Sequence, residues 1–125
     1  MNKDDLLHDL VTVRSTWYDA FYTRNIELLD YLEVDWFLST NGQKMIYKKH
    51  QLRKLSFNSI SDDGYRMTVR DEKEVEIHEY DNIASVSGKA TVTDPDGRAI
   101  NIDFIECWIK QKSGWKLQFQ SFDNP

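Results

Sequence analysis

One carboxylate stands where a carboxylate is out of keeping with its neighbours. Glu106 lies within Phe104-Ile105-Glu106-Cys107-Trp108, and charged side chains are rarely buried unless paired. If Glu106 faces the interior, desolvation raises its pKa, and it can donate a proton or hold a ligand's polar end. The plainer reading is a rim or interface carboxylate paired with Arg or Lys of a neighbouring strand. Six aromatics, Trp17, Tyr18, Phe21, Trp36, Trp108 and Phe119, suit the wall of a pocket for a flat apolar ligand. At their helical and alternating spacing they suit simple core packing equally well.

Other chemistries find little footing. His8, His50 and His78 have no mutual spacing that sets two on one face as metal ligands, so no metal site is expected. Cys107 has no base or helix terminus beside it and reads as a strand residue. Lys48, Lys49, His50, Arg53 and Lys54 cluster, which on a helix is most simply a solvated face. There is no glycine-rich phosphate loop and no serine in a nucleophile elbow. No cofactor is called for.

The bulk numbers agree. The chain has 125 residues, 40% hydrophobic and 30% charged, with a net charge of −5. That length reads as a single domain, residues 1–125. The acidic balance disfavours nucleic acid or an anionic membrane as partner. One cysteine cannot form an intrachain bridge. The start, Met1-Asn2-Lys3-Asp4-Asp5, lacks the pattern of a secretory signal, and no apolar run approaches the ~20 residues of a membrane helix. A cytoplasmic protein is the expectation.

The elements that must position these residues are legible as patterns. Leu6, Leu10, Val13, Trp17 and Phe21 draw one stripe along a helix, widened by Leu7, Val11 and Tyr18. Asn2 is its expected cap, with Asp4 and Asp5 at the positive end of its dipole. Asn25 caps a short second helix, 26–32, burying Leu28, Leu29 and Leu32. A strand over 34–39 alternates Val34, Trp36 and Leu38 with Asp35, Phe37 and Ser39, and Asn41-Gly42 turns it back over 43–47. A helix over 48–58 starts poorly, because Lys48 and Lys49 sit at its positive end; that end must fray or meet an anion. From Tyr65 on the pattern is β. Tyr65, Met67 and Val69 alternate with Arg66, Thr68 and Arg70, and Val75 and Ile77 follow. Ala84, Val86, Gly88, Ala90 and Val92 form one face of a long strand. Asp94-Pro95-Asp96-Gly97 closes a hairpin. The next strand, 98–111, is apolar on both faces: either a bulge near Phe104-Ile105 swaps them or both are covered. Helices first and a meandering antiparallel sheet after is an α+β order.

Trp17-x-x-Ala20-Phe21 with Asn25-Ile26-x-x-Leu29 resembles the first two helices of nuclear transport factor 2-like proteins. Gly88-x-Ala90, Asp103-Phe104-x-x-Cys107-Trp108-Ile109-Lys110 and Gly114-Trp115-Lys116-Leu117 resemble their last three strands. The flavour is that of small bacterial members without assigned function. The resemblance implies a cone-shaped α+β barrel, with N-terminal helices packed in a strongly curved antiparallel sheet. It also implies a homodimer through the outer sheet face.

Enzymes of this architecture include ketosteroid isomerases and SnoaL-like cyclases, whose isomerase chemistry uses an aspartate base with tyrosine and protonated acid donors. By that resemblance the base falls at or near Ser39, which cannot act as a carboxylate. The tyrosine falls at Trp17 or Tyr18, and the acid near Glu106, with Asp103 on the opposite face. The leading expectation is therefore binding of a small, largely apolar molecule in the cone, with no assignable reaction. Its site comprises Trp17, Tyr18, Phe21, Trp36, Glu106, Trp108 and Phe119. The enzyme alternative is an isomerase, dehydratase or cyclase acting through Glu106 or Asp103 with Tyr18 as donor; the third is a homodimeric interaction module without ligand.

Overall fold

The computed structural model describes residues 8–58 and 68–123. The first helix, α1 (Leu10–Thr23), buries Leu10, Val13, Arg14, Trp17, Tyr18 and Ala20. This is the expected stripe with an arginine set into it, while Val11 faces solvent. Asn2, Asp4, Asp5, Leu6 and Leu7, assigned above to the start of this helix, lie outside the described residues. The helix ends at Arg24, whose φ of 56° lets its N–H return to the carbonyls of Ala20 and Phe21. Asn25 then caps α2 (Ile26–Leu32), accepting from the Leu28 N–H at 3.3 Å. Leu29 and Leu32 are fully buried.

Strands β1 (Glu33–Thr40) and β2 (Met45–Tyr47) form the Asn41-Gly42 hairpin. Asn41 Oδ1 accepts from the N–H groups of Gln43 and Lys44, and Gly42 takes φ 91°. Helix α3 (Lys48–Asn58) follows directly. Its unfavourable start meets its anion: Lys48 Nζ pairs with Asp30 at 2.9 Å and donates to the carbonyls of Asp30 and Glu33. The ammonium thereby caps the negative end of α2.

The remaining strands are β3 (Val69–Tyr80), β4 (Ile83–Thr93), β5 (Ala99–Gln111) and β6 (Gly114–Asp123). Tyr65 and Met67, read as strand, lie outside the described residues. The sheet order is β2-β1-β6-β5-β4-β3. All neighbours are antiparallel except β1 and β6, which run parallel. The sheet is thus mixed and open, because the hairpin meander from β3 to β6 is extended beside β6 by a parallel strand from the front of the chain.

Three irregularities shape it. In β1 the register shifts between Glu33 and Leu38, so Val34 and Phe37 are both buried and Trp36 turns out at 58% exposure. The strict alternation read for this strand fails at that point. In β3 Glu74 takes φ 54° at a shift between Lys73 and Glu76. Between β5 and β6 the pairing slips at Cys107/Trp108, leaving Gln118 as the extra residue. No shift interrupts β4–β5, so β5 keeps one alternation throughout: Phe104, Glu106 and Trp108 are buried, while Ile105 is 51% exposed.

The sheet curves around α1. Trp17 Nε1 donates to Glu33 on β1, while Arg14, one turn earlier, reaches Glu106 on β5 and Glu72 on β3. In a flat sheet β1 and β3, four ladders apart, would stand about 19 Å from each other. One helical turn spans about 5.4 Å, so the strands must wrap. Between helix and sheet lie Val13, Trp17, Leu29, Leu32, Phe37, Val86, Phe104, Trp108, Trp115 and Leu117.

Candidate ligand cavity and its buried ion network

Glu106 points inward and has no exposed surface. Its Oε1 accepts from Arg14 Nε at 2.7 Å and from Trp108 Nε1 at 2.8 Å. Its Oε2 accepts from Arg14 Nη2 at 2.8 Å and from the Tyr18 hydroxyl. Four donors converge on two oxygens, so the group acts as a carboxylate acceptor. The pairing cation comes from α1, not from a neighbouring strand.

Arg14 is shared. Its Nη1 and Nη2 also donate to the two oxygens of Glu72, at 3.2 and 2.9 Å. Glu72 in turn accepts from Arg70 Nε at 2.9 Å. Burial works against the Glu72 charge, but Arg14 and Arg70 outweigh it and hold that carboxyl below its usual range. Burial, reinforced by the Glu106 charge, pushes the Tyr18 phenol far above its ordinary value. Tyr18 therefore remains protonated, gives its hydrogen to Glu106 and accepts from Gln120 Nε2 at 3.1 Å. Arg70 lies over the Tyr18 ring, 3.9 Å from its centroid, and over Phe104 at 4.9 Å. Its Nη1 donates to the Tyr22 hydroxyl at 3.3 Å.

Against this network sits a cavity of about 500 Å³, within the size range of small-molecule sites. Its deep wall is Trp17, Tyr18, Phe104, Arg70 and Gln120, all nearly buried. Phe21, Tyr22, Val92 and Ile102 form the sides; Asn41, Gln43, Ile100, Phe122 and Asp123 stand at the more exposed end. Trp17 and Phe21 stack with centroids 5.3 Å apart.

The structure thus brings Trp17, Tyr18 and Phe21 together at the cavity. Glu106 lies behind Tyr18 and is not part of the lining. Trp108 is wholly in the core, and Phe119 pairs with Cys107 on the outward side of the sheet. Trp36 is also on the outside, and Asp103 is exposed there. Ser39 is buried beside Gln120 in the ladder. His50 and His78 are exposed and far apart in the chain.

A second buried carboxylate lies behind Trp17. Glu33 accepts from Trp17 Nε1 at 2.9 Å. Burial raises its pKa to about 7, against the opposing pull of Trp17, Gln51 and Lys48.

Arg14, Arg70, Glu72, Tyr22 and Gln120 were not singled out from the sequence. Arg14 left a trace: it interrupts the stripe between Leu10 and Tyr18 at i+4 spacing, which a solvated arginine would avoid. Arg70 and Glu72 left only the two-residue spacing of one strand face, and that face turns inward while Val69 faces solvent.

No protein-family model matches this sequence, and no curated protein matches it. Solved structures do match in fold. An NTF2-like protein from Cytophaga hutchinsonii is 15% identical over the whole of both chains, with a TM-score of 0.78. A candidate dehydratase of the NTF2-like family from Streptomyces avermitilis is 13% identical over 99% of both, with a TM-score of 0.78. The CaMKII hub of S. rosetta is 13% identical over 100% of this chain and 98% of its own, with a TM-score of 0.75. The chain has the nuclear transport factor 2-like fold, an α+β cone.

Proposed function

We propose that this protein binds a small, largely apolar molecule in its cone. The observation that carries the reading is the cavity of about 500 Å³ between Trp17, Phe21, Ile102 and Phe104, backed by polar groups that are tied mostly to one another. The ketosteroid-isomerase type of chemistry draws less support. Tyr18 spends its hydrogen on Glu106, Glu106 is saturated by four donors, and Asp103 lies on the outer face. The neutral fluorophore N-phenyl-1-naphthylamine tests the binding reading. It should bind the wild type and lose at least tenfold in affinity to Ile102→Trp, which fills the space. Equal binding to both proteins sinks the reading.

Self-association is a second reading, favoured by the outer sheet face. Ile83 and Ile105 are exposed there at 62% and 51%, beside Cys107, Ile109, Phe119, Leu38 and Trp36. Such a contiguous apolar face fits a second copy, and the hub likeness agrees with it. Sedimentation should give a dimer for the wild type and a monomer for Ile105→Lys. A wild-type monomer at micromolar concentration counts against this reading.

A further inference from the structure

Among the described residues lining the cavity, Arg70 is the one with a buried side-chain nitrogen or oxygen that has no hydrogen-bond partner. Its side chain is 90% buried, at 10% exposure. Nε serves Glu72, and Nη1 serves Tyr22. Nη2, buried and carrying two hydrogens, has no partner among the described residues. A buried charged donor left without a partner carries a larger desolvation penalty than a neutral one, so such a group asks for an acceptor. The carboxylates nearby are engaged elsewhere: Glu72 takes three donors from Arg14 and Arg70 Nε, Glu106 holds four, and neither reaches Nη2.

Tyr22 adds a neighbouring donor. Its oxygen accepts from Arg70 Nη1, and its own hydrogen is engaged by no described residue. Both residues line the cavity. Arg70 is held in place by its stacking on Tyr18 and Phe104 and by Glu72, which keeps the entropic cost of using it low.

Resting on the ligand reading above, we propose that Arg70 Nη2 and the Tyr22 hydroxyl anchor the carboxylate of an apolar, flat carboxylic acid whose body lies along Trp17, Phe21 and Ile102. Two adjacent donor groups match the two oxygens of a carboxylate. A phosphate, with three terminal oxygens and up to two charges, would find only one arginine not already shared between two carboxylates. Tyr18 is not part of the anchor, because its hydrogen belongs to Glu106.

The test compares 2-naphthoate with 2-naphthamide, equal in shape and different in charge, by calorimetric titration. The wild type should prefer the naphthoate by about ten- to a hundredfold, the range of a charge-assisted hydrogen bond. Arg70→Met should bring the two affinities together by weakening the naphthoate alone. Equal wild-type affinities overturn the anchor while leaving the ligand reading standing. Binding of N-phenyl-1-naphthylamine with neither naphthalene bound has the same meaning, and no binding of any of the three overturns both. A preference that survives in Arg70→Met also overturns the anchor. If Arg70→Met does not fold, the wild-type ratio decides, together with Tyr22→Phe, which should cost the naphthoate about three- to tenfold and the amide less.

Discussion

Replacing Glu106 by Gln removes one charge from a position with no exposed surface and turns one acceptor oxygen into a donor. In the wild type the two oxygens take Arg14 at 2.7 and 2.8 Å, Trp108 at 2.8 Å and the Tyr18 hydroxyl. The amide can satisfy two of these four and opposes the others donor to donor. Breaking a buried ion pair costs about 3–5 kcal/mol. Arg14 keeps Glu72 as a partner, so the lower end, about 3 kcal/mol, is expected. That is a large share of a domain's roughly 5–15 kcal/mol. At a urea slope of roughly 2 kcal/mol/M it moves the midpoint down by about 1.5 M, readable by tryptophan fluorescence and circular dichroism together. Arg14→Met should cost at least as much, and the double variant should fall short of the sum by about 2 kcal/mol, because the partners share one interaction. An E106Q midpoint within about 0.5 M of wild type, or strict additivity with Arg14→Met, would refute the view of Glu106 as a structural anchor. Loss of some activity at unchanged stability would do so as well, and would return Glu106 to the role of a reacting acid.

Glu33 gives a pH dependence of unusual sign. Its folded pKa of about 7 lies above the usual carboxyl value, so its favourable contribution is fully present below pH about 4.5 and lost as pH rises through 7. Glu33→Gln should therefore be more stable than wild type at pH 8, by roughly 2–4 kcal/mol, with the gap closing near pH 5 in thermal melts; parallel profiles contradict this. Gly88→Ala should destabilise by about 1–3 kcal/mol, because the added methyl would stand 3.0 Å from Phe104 Cζ and 3.1 Å from Val75 Cα; a neutral urea midpoint speaks against that contact. Lys48→Met removes the cap on the last carbonyls of α2 and should cost about 1–3 kcal/mol, with faster amide exchange over 29–33 as its local mark. Unchanged exchange there means that the cap is not what holds this corner.

The parts legible in the sequence were those whose cause is local. The Asn25 cap, the two turns and the inward face of Ala84, Val86 and Ala90 depend on neighbours a few positions away, and each stands as the pattern implied. Trp36 was misread because a register shift is not written in the alternation: it moves Phe37 into the core and Trp36 out. The ion network was hidden for another reason. Glu106 meets Arg14 across 92 positions and Glu72 meets it across 58, and no window of sequence contains both ends. Whether a polar residue within an apolar run faces inward is decided by such a distant partner, so the direction of Glu106 was open until the partner was in place.

That distance bears on how the chain reaches its folded form. Arg14 sits on the first described helix to leave the ribosome, yet its partners arrive only with Glu72 and Glu106. Until β5 exists, α1 carries a cation in the middle of its apolar stripe and cannot be sealed against anything without burying that charge alone. Helix docking must then wait for the long loops to close, which is the entropic burden of a high-contact-order topology. Early helix formation stays reversible, and helix and strand neutralise each other only after the rate-limiting closure of the sheet's long loops. Mutations of the Arg14–Glu106 pair should accordingly speed unfolding and leave the folding rate nearly unchanged, with φ near zero in stopped-flow chevrons. A φ above about 0.5 there would show that the charge is buried before the sheet has closed around it.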